Sequence, residues 1–181
     1  MYLEISPRGS GKTHRLINRI SYDFSKDFRS YAAVCTSSQR QYKHILKKLE
    51  KMGINTRDVI YYKNIKNANK KDKEIMSKNN IKYYFDEFDF IEGLNGNDIY
   101  ENGYYVTTSS RERNLLEDLS GDFLFKLMRR NEGKHVSYNT VAMFGQDYYN
   151  EIIKDVNIEM EQSMFDREFL NKVFTRKVKK I

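Results

Sequence analysis

Residues Ser6-Pro7-Arg8-Gly9-Ser10-Gly11-Lys12-Thr13 are the first in the chain whose types and spacing can do chemistry. A short apolar run, Tyr2-Leu3-Glu4-Ile5, precedes them, and an amphipathic segment, His14 to Ile20, follows. Strand, glycine-bearing loop, Lys-Thr and helix together are the context of a phosphate-binding loop. Gly9 and Gly11 let the backbone approach a phosphate with no Cβ in the way. Inward N–H groups and the positive end of the new helix hold the anion. Lys12 reaches the outer phosphates of a nucleoside triphosphate, and Thr13 offers its hydroxyl to Mg²⁺. Residues 6–13 and the adjacent His14 are the candidate nucleotide contacts, with Ser6 standing where Gly is usual.

A second element complements the first. Tyr83-Tyr84-Phe85-Asp86-Glu87 reads as an apolar strand ending in two carboxylates. Asp86 suits the Mg²⁺ shell beside Thr13, and Glu87 suits orienting and activating a water. Two adjacent acids at a strand end cost folding energy unless metal and solvent satisfy them. Asp89 is expected on the same side as Glu87 if the strand continues. Gly103 to Ser110 reads as another strand, ending in hydroxyls. Thr108, with Ser109 as the alternative, is placed to hydrogen-bond the γ-phosphate or the lytic water. A helix cap by Ser109 or Ser110 is compatible with that role.

These residues need a scaffold. The pattern predicts strands over 2–6, 31–36 and 59–62, and helices over 12–25, 39–52 and, weakly, 72–79. Ser37 or Ser38 caps the second helix, and Gly53 stops it. Residues 63–71 read as an exposed loop. Residues 111–131 read as a helix striped by Leu115, Leu116, Leu119, Phe123 and Leu127, with an interruption at Gly121. Arg111, Arg113, Arg129 and Arg130 are candidates to stabilise charge toward a neighbouring subunit, or are plain surface arginines. Lys134 to Phe144 reads as the last strand or two, and Asp147 to Lys180 as largely helical with a basic tail from about 175 to 181. The expected fold is a single α/β domain over 1–181, three-layered, with a mostly parallel central sheet. Its loop strand is flanked by the Thr107–Thr108 strand, with the Asp86 strand beyond, and nucleotide binds at the C-terminal edge.

Composition bounds the partners. The chain has 181 residues and a net charge of +7. That balance favours an anionic partner, nucleic acid first. Between Gln39 and Lys82 there are 13 Lys and Arg against 4 Asp and Glu. These either track a phosphate backbone or form a solvated basic face. Cys35 is the sole cysteine and the three His are scattered, which excludes a cysteine-rich metal site. No apolar run approaches a membrane span, so an intracellular protein with no membrane partner is expected.

In order of elements, the chain resembles the P-loop NTPases that carry an additional strand and a catalytic glutamate. Within that group, Arg8 to Thr13 and Phe85-Asp86-Glu87-Phe88 are similar to the ATPase domain of viral DNA-packaging motors, the terminase large subunits. Thr107-Thr108-Ser109 resembles their coupling motif, and Phe165 to Leu170 a segment that often closes the domain. The resemblance implies a three-layer P-loop NTPase domain that hydrolyses ATP with Mg²⁺ to move double-stranded DNA. It implies catalytic roles for Glu87, Lys12, Thr108 and Arg8, the last acting in cis as an arginine finger does. Thr13 and Asp86 hold the metal. Implied partners are double-stranded DNA, a homo-oligomeric ring, and a separate nuclease or portal-like protein, because this length holds the ATPase module alone. The alternative is a helicase-loader-like AAA+ ATPase acting on a replication protein or single-stranded DNA, against which the Asp86 to Thr108 spacing is short. A non-hydrolysing adaptor and a small-molecule kinase are further alternatives; intact Lys12, Thr13, Asp86 and Glu87 argue against the first and Glu87 against the second.

Overall fold

The computed structural model describes residues 1–27, 31–62, 70–78, 80–111, 113–138, 146–147 and 174–175. Strands β1 (Tyr2–Ile5), β2 (Tyr31–Cys35), β3 (Val59–Tyr62), β4 (Ile81–Asp86) and β5 (Tyr104–Thr107) form one sheet. Their order is β1-β5-β4-β2-β3, and every pairing is parallel. Helices α1 (Lys12–Lys26) and α2 (Gln39–Lys51) pack on one face. Helices α3 (Lys70–Lys78) and α4 (Phe123–Arg130) pack on the other. The result is the expected three-layer α/β architecture, with the loop strand, the Thr107 strand and the Asp86 strand in the expected order.

Alternation along each strand builds two cores. In β2, Ala32 and Val34 face α1 and α2, while Ala33 and Cys35 face the other side. Tyr84 and Phe85 divide in the same way, as do Val106 and Tyr105. A parallel strand covered on both faces must be apolar on both, which is why Ala32 to Cys35 shows no polar alternation. Leu16 and Ile20 of α1 and Ile45 and Leu49 of α2 are fully buried against this sheet. Each contributes about 1.5–3 kcal/mol by leaving water.

The structure departs from the expected helix over 111–131. Residues 113–114 form β6 (Arg113–Asn114), paired in parallel with β7 (Phe174–Thr175). Asn114 Oδ1 accepts the Leu116 N–H at 3.1 Å, and Asp118 Oδ1 accepts the Ser120 N–H at 2.9 Å. Such local turns compete with helical bonding, so the leucine periodicity is overridden. The helix starts only where Asp122 caps it, its Oδ1 accepting the Phe125 N–H at 2.8 Å. Leu115 and Leu116 are exposed instead of lining a stripe.

Val136 bonds beside β1, donating its N–H to Leu3 O and accepting from the Ile5 N–H, both at 2.9 Å. The strand expected from 134 is thus present at one bridge; its residues 139–144 lie outside the described residues. So do 63–69 of the expected loop, 148–173 of the expected helices including Phe165 to Leu170, and the tail over 176–181. No helix among the described residues is long and apolar enough to cross a membrane.

Candidate functional site

The loop between β1 and α1 takes its shape from its glycines. Gly9 and Gly11 have φ of 70° and 84°, in the left-handed region that favours glycine. Gly11 is the N-cap of α1 and supplies no side-chain cap. The first N–H groups of α1 therefore keep their donor capacity at the loop, where the helix dipole is positive. Ser10 Oγ is buried and has no hydrogen-bond partner among the described residues. A donor-rich concavity holding an unsatisfied buried hydroxyl fits a polyphosphate.

The loop is strapped from below. Arg15 donates to Ser10 O at 2.6 Å and to the Glu4 carboxylate at 3.1 and 2.5 Å. Glu4 is fully buried in β1. The Arg15 guanidinium also lies 4.0 Å from the centre of the Tyr138 ring. Ser6 explains its own presence at the loop's first position: its Oγ accepts the Tyr138 N–H at 3.0 Å, a bond glycine cannot make.

Lys12, Thr13, Asp86, Glu87 and Thr108 converge above the C-terminal ends of β1, β4 and β5. Lys12 is nearly fully buried, its Nζ 2.8 Å from Pro7 O and 3.2 Å from Glu87 Oε1. Thr13 Oγ1 lies 3.1 and 2.9 Å from the two Asp86 oxygens. Glu87 ends β4 with φ 50°, an uncommon conformation for a residue with a Cβ. That turn aims its carboxylate at β5, where Oε2 accepts the Thr108 N–H at 2.6 Å and Oε1 meets Thr108 Oγ1 at 3.2 Å. Backbone strain of this kind costs on the order of 1–3 kcal/mol and clusters at functional sites.

Burial pushes the Asp86 carboxyl up to about 7, and the adjacent Glu87 charge adds to the effect. The Thr13 hydrogen bond, the Lys12 charge and the Gln41 hydrogen bond pull the other way. Gln41 carries no local signal for this role in the sequence. It sits in the first turn of α2 and donates from Nε2 to Asp86 Oδ2 at 2.8 Å. Beside it opens a hollow of about 480 Å³ lined by Thr13, Ser38, Arg40, Gln41 and His44. No group of three or more His, Cys, Asp or Glu is placed to hold a metal among the described residues. Mg²⁺ does not need one, because it keeps several waters and takes one or two protein oxygens. Thr13 and Asp86 fit that requirement.

Other expected residues fall elsewhere. Arg8 is exposed at the tip of the loop, and His14 faces outward from α1. Asp89 does not continue the strand beside Glu87, because the chain turns at Glu87 into a short helical turn over Phe88–Phe90. Asp89 instead accepts from Ser110 N–H and Oγ at 2.7 and 2.8 Å and from Arg113 at 2.5 Å. Arg113 is fully buried, so it cannot reach a neighbouring subunit. It also holds Asp122 at 2.9 Å and Ser109 Oγ at 3.0 Å, while Arg111 pairs with Asp122. Ser109 therefore belongs to this network rather than to the phosphate loop, and no helix begins at Ser109 or Ser110. No family model, curated protein or solved structure matches the chain.

Proposed function

We propose that the chain is a Mg²⁺-dependent ATP hydrolase of the kind that drives DNA packaging. One observation carries the reading: Lys12 and Thr13 of the loop meet Asp86 and Glu87 across the end of β5, with Thr108 holding Glu87. Residues 8–13 cradle the phosphates through backbone N–H groups. Lys12 exchanges Glu87 for the outer phosphates, which frees Glu87 Oε1 to accept a proton from water. Thr108 keeps the freed carboxylate aimed through its backbone N–H. Thr13 and Asp86 would hold Mg²⁺, which would supply neutralisation of the phosphate charge. Arg8, exposed at the loop tip, is the candidate to act on the γ-phosphate in cis. A carboxylate poised for water favours hydrolysis over transfer to a small acceptor.

The test is ATP hydrolysis at low salt with and without duplex DNA, with single-stranded DNA as a parallel arm. Hydrolysis stimulated by duplex, with stimulation fading as salt rises, is the expected result. Hydrolysis indifferent to every nucleic acid would sink the packaging reading and leave an ATPase acting on a protein or small molecule. No hydrolysis with Mg²⁺ present would sink the enzyme reading itself.

A further inference from the structure

The helix α4 carries a charge pattern that the hydrolytic site does not use. Lys126, Arg129 and Arg130 stand at i, i+3 and i+4, so their side chains share one face. Like charges at these spacings destabilise a helix by mutual repulsion. None of the three is in an ion pair with the described residues. With Gly96 and Ile99 they line an open hollow of about 380 Å³. The nearest acid in that turn, Asp98, is fully buried and turned inward, accepting from Tyr62 Oη at 2.5 Å and from the Asn95 N–H at 3.0 Å. Three cations, one apolar wall and no facing carboxylate among the described residues describe a receptor for an external anion.

We propose that this hollow seats the phosphodiester backbone of a nucleic acid. The shape favours that ligand. The hollow is open rather than enclosed, its cations are strung along one helix face, and Ile99 offers a surface for a sugar. This deepens the reading of the chain as a nucleic-acid-dependent ATPase and rests on it for the ligand class. It assigns the contact to α4, on the sheet face opposite the lysine-rich α2. The same helix is fixed at its other end to the hydrolytic side of the sheet. Its cap Asp122 is held by Arg113, which also holds Asp89, two residues beyond Glu87.

The experiment is fluorescence-anisotropy titration of labelled duplex DNA and of single-stranded RNA of equal length, without nucleotide, across a salt series. The proteins are the wild type, the triple variant Lys126→Ala/Arg129→Ala/Arg130→Ala, the double variant Arg129→Lys/Arg130→Lys, and Lys12→Ala. The triple variant replaces exposed or half-exposed positions with a better helix former, and its thermal midpoint is recorded to establish folding. It should bind roughly tenfold or more weakly, with a log–log salt slope smaller by about 2 to 3. The charge-keeping variant should bind like the wild type. Lys12→Ala should retain binding, which separates this site from the phosphate loop whatever the loop hydrolyses. Preference between the DNA and RNA arms identifies which backbone is carried. Undiminished affinity and slope in the triple variant would overturn the assignment. So would a wild type that binds neither polymer at about 50 mM salt.

Discussion

Asp86→Asn should make the nucleotide-free protein more stable at neutral and alkaline pH while abolishing hydrolysis. The Asp86 carboxyl ordinarily titrates at 3.8 and is held at about 7 in the folded chain, chiefly by burial. Between those values the folded chain keeps a proton that the unfolded chain has released. Stability from this residue is therefore fully present below 3.8 and is lost as pH rises through about 7. Each pH unit in that window costs up to about 1.4 kcal/mol, so the loss approaches about 4 kcal/mol by pH 8. Asparagine removes the charge and keeps the contacts. Its carbonyl accepts from Gln41 Nε2, and its amide donates to Thr13 Oγ1. Urea unfolding of both proteins in about half-unit steps from pH 5 to 8, without nucleotide or divalent ions, isolates the effect as a difference curve. The variant's advantage should grow with pH and level off above the folded value. A difference independent of pH would refute the argument, because it would mean that Asp86 is solvated or already compensated. A second arm follows from the same linkage. Mg²⁺ with nucleotide should favour the ionised carboxylate and release a proton near pH 7, read as a buffer-dependent enthalpy of binding.

Three further outcomes are expected. Glu87→Gln should retain nucleotide affinity and lose turnover by roughly 10² to 10⁴-fold, since the amide cannot accept the proton; full turnover would remove Glu87 from the mechanism. Thr108→Ala should reduce kcat only about tenfold with KM unchanged, because the 2.6 Å backbone bond to Glu87 survives loss of the hydroxyl; a loss equal to that of Glu87→Gln would mean the hydroxyl itself is the principal hold. Arg15→Ala should lower unfolding free energy by about 3 to 5 kcal/mol by stranding the buried Glu4 carboxylate. Adding Glu4→Gln should restore part of that loss, and a single-variant effect under about 1 kcal/mol would argue that the pair is not structural.

The parts of the site legible in the sequence are those whose chemistry is tied to local spacing. Gly9, Gly11, Lys12 and Thr13 form one loop, and Asp86-Glu87 ends one apolar strand, so neighbours along the chain declare them. Thr108 is legible because β5 ends in consecutive hydroxyls. Gln41 is not, because its bond to Asp86 depends on α2 starting within reach of a residue 45 positions away. The burial of Arg113 is illegible for a related reason. Its segment repeats leucines at helical intervals, yet Asn114 and Asp118 bond their own backbone and dissolve the helix there. The capping signal at Asp122 was present in the sequence and outweighs that periodicity. Asp89 leaves the side of Glu87 because alternation holds only along a continuing strand, and the chain turns out of β4 at Glu87 with positive φ. Glu4 read as one member of an apolar strand; nothing nearby announces that Arg15 neutralises it.

The strand order has a consequence for how the chain is made. The phosphate loop hangs from β1, and β5, the sheet strand paired with β1, lies about a hundred residues later, Tyr2 opposite Tyr104. On a ribosome adding roughly 5–20 residues per second, β1 waits about 5 to 20 s for that partner. Leu3 and Ile5 remain without their sheet neighbours over that interval, while β2, β3 and β4, closer together in the chain, can already pair. Docking of β1 is thus the late, long-range step in completing the five-stranded sheet. A nascent chain that stops short of residue 104 carries every residue of the loop and its local Arg15–Ser10 and Lys12–Pro7 bonds, yet lacks the strand that anchors β1 in the sheet.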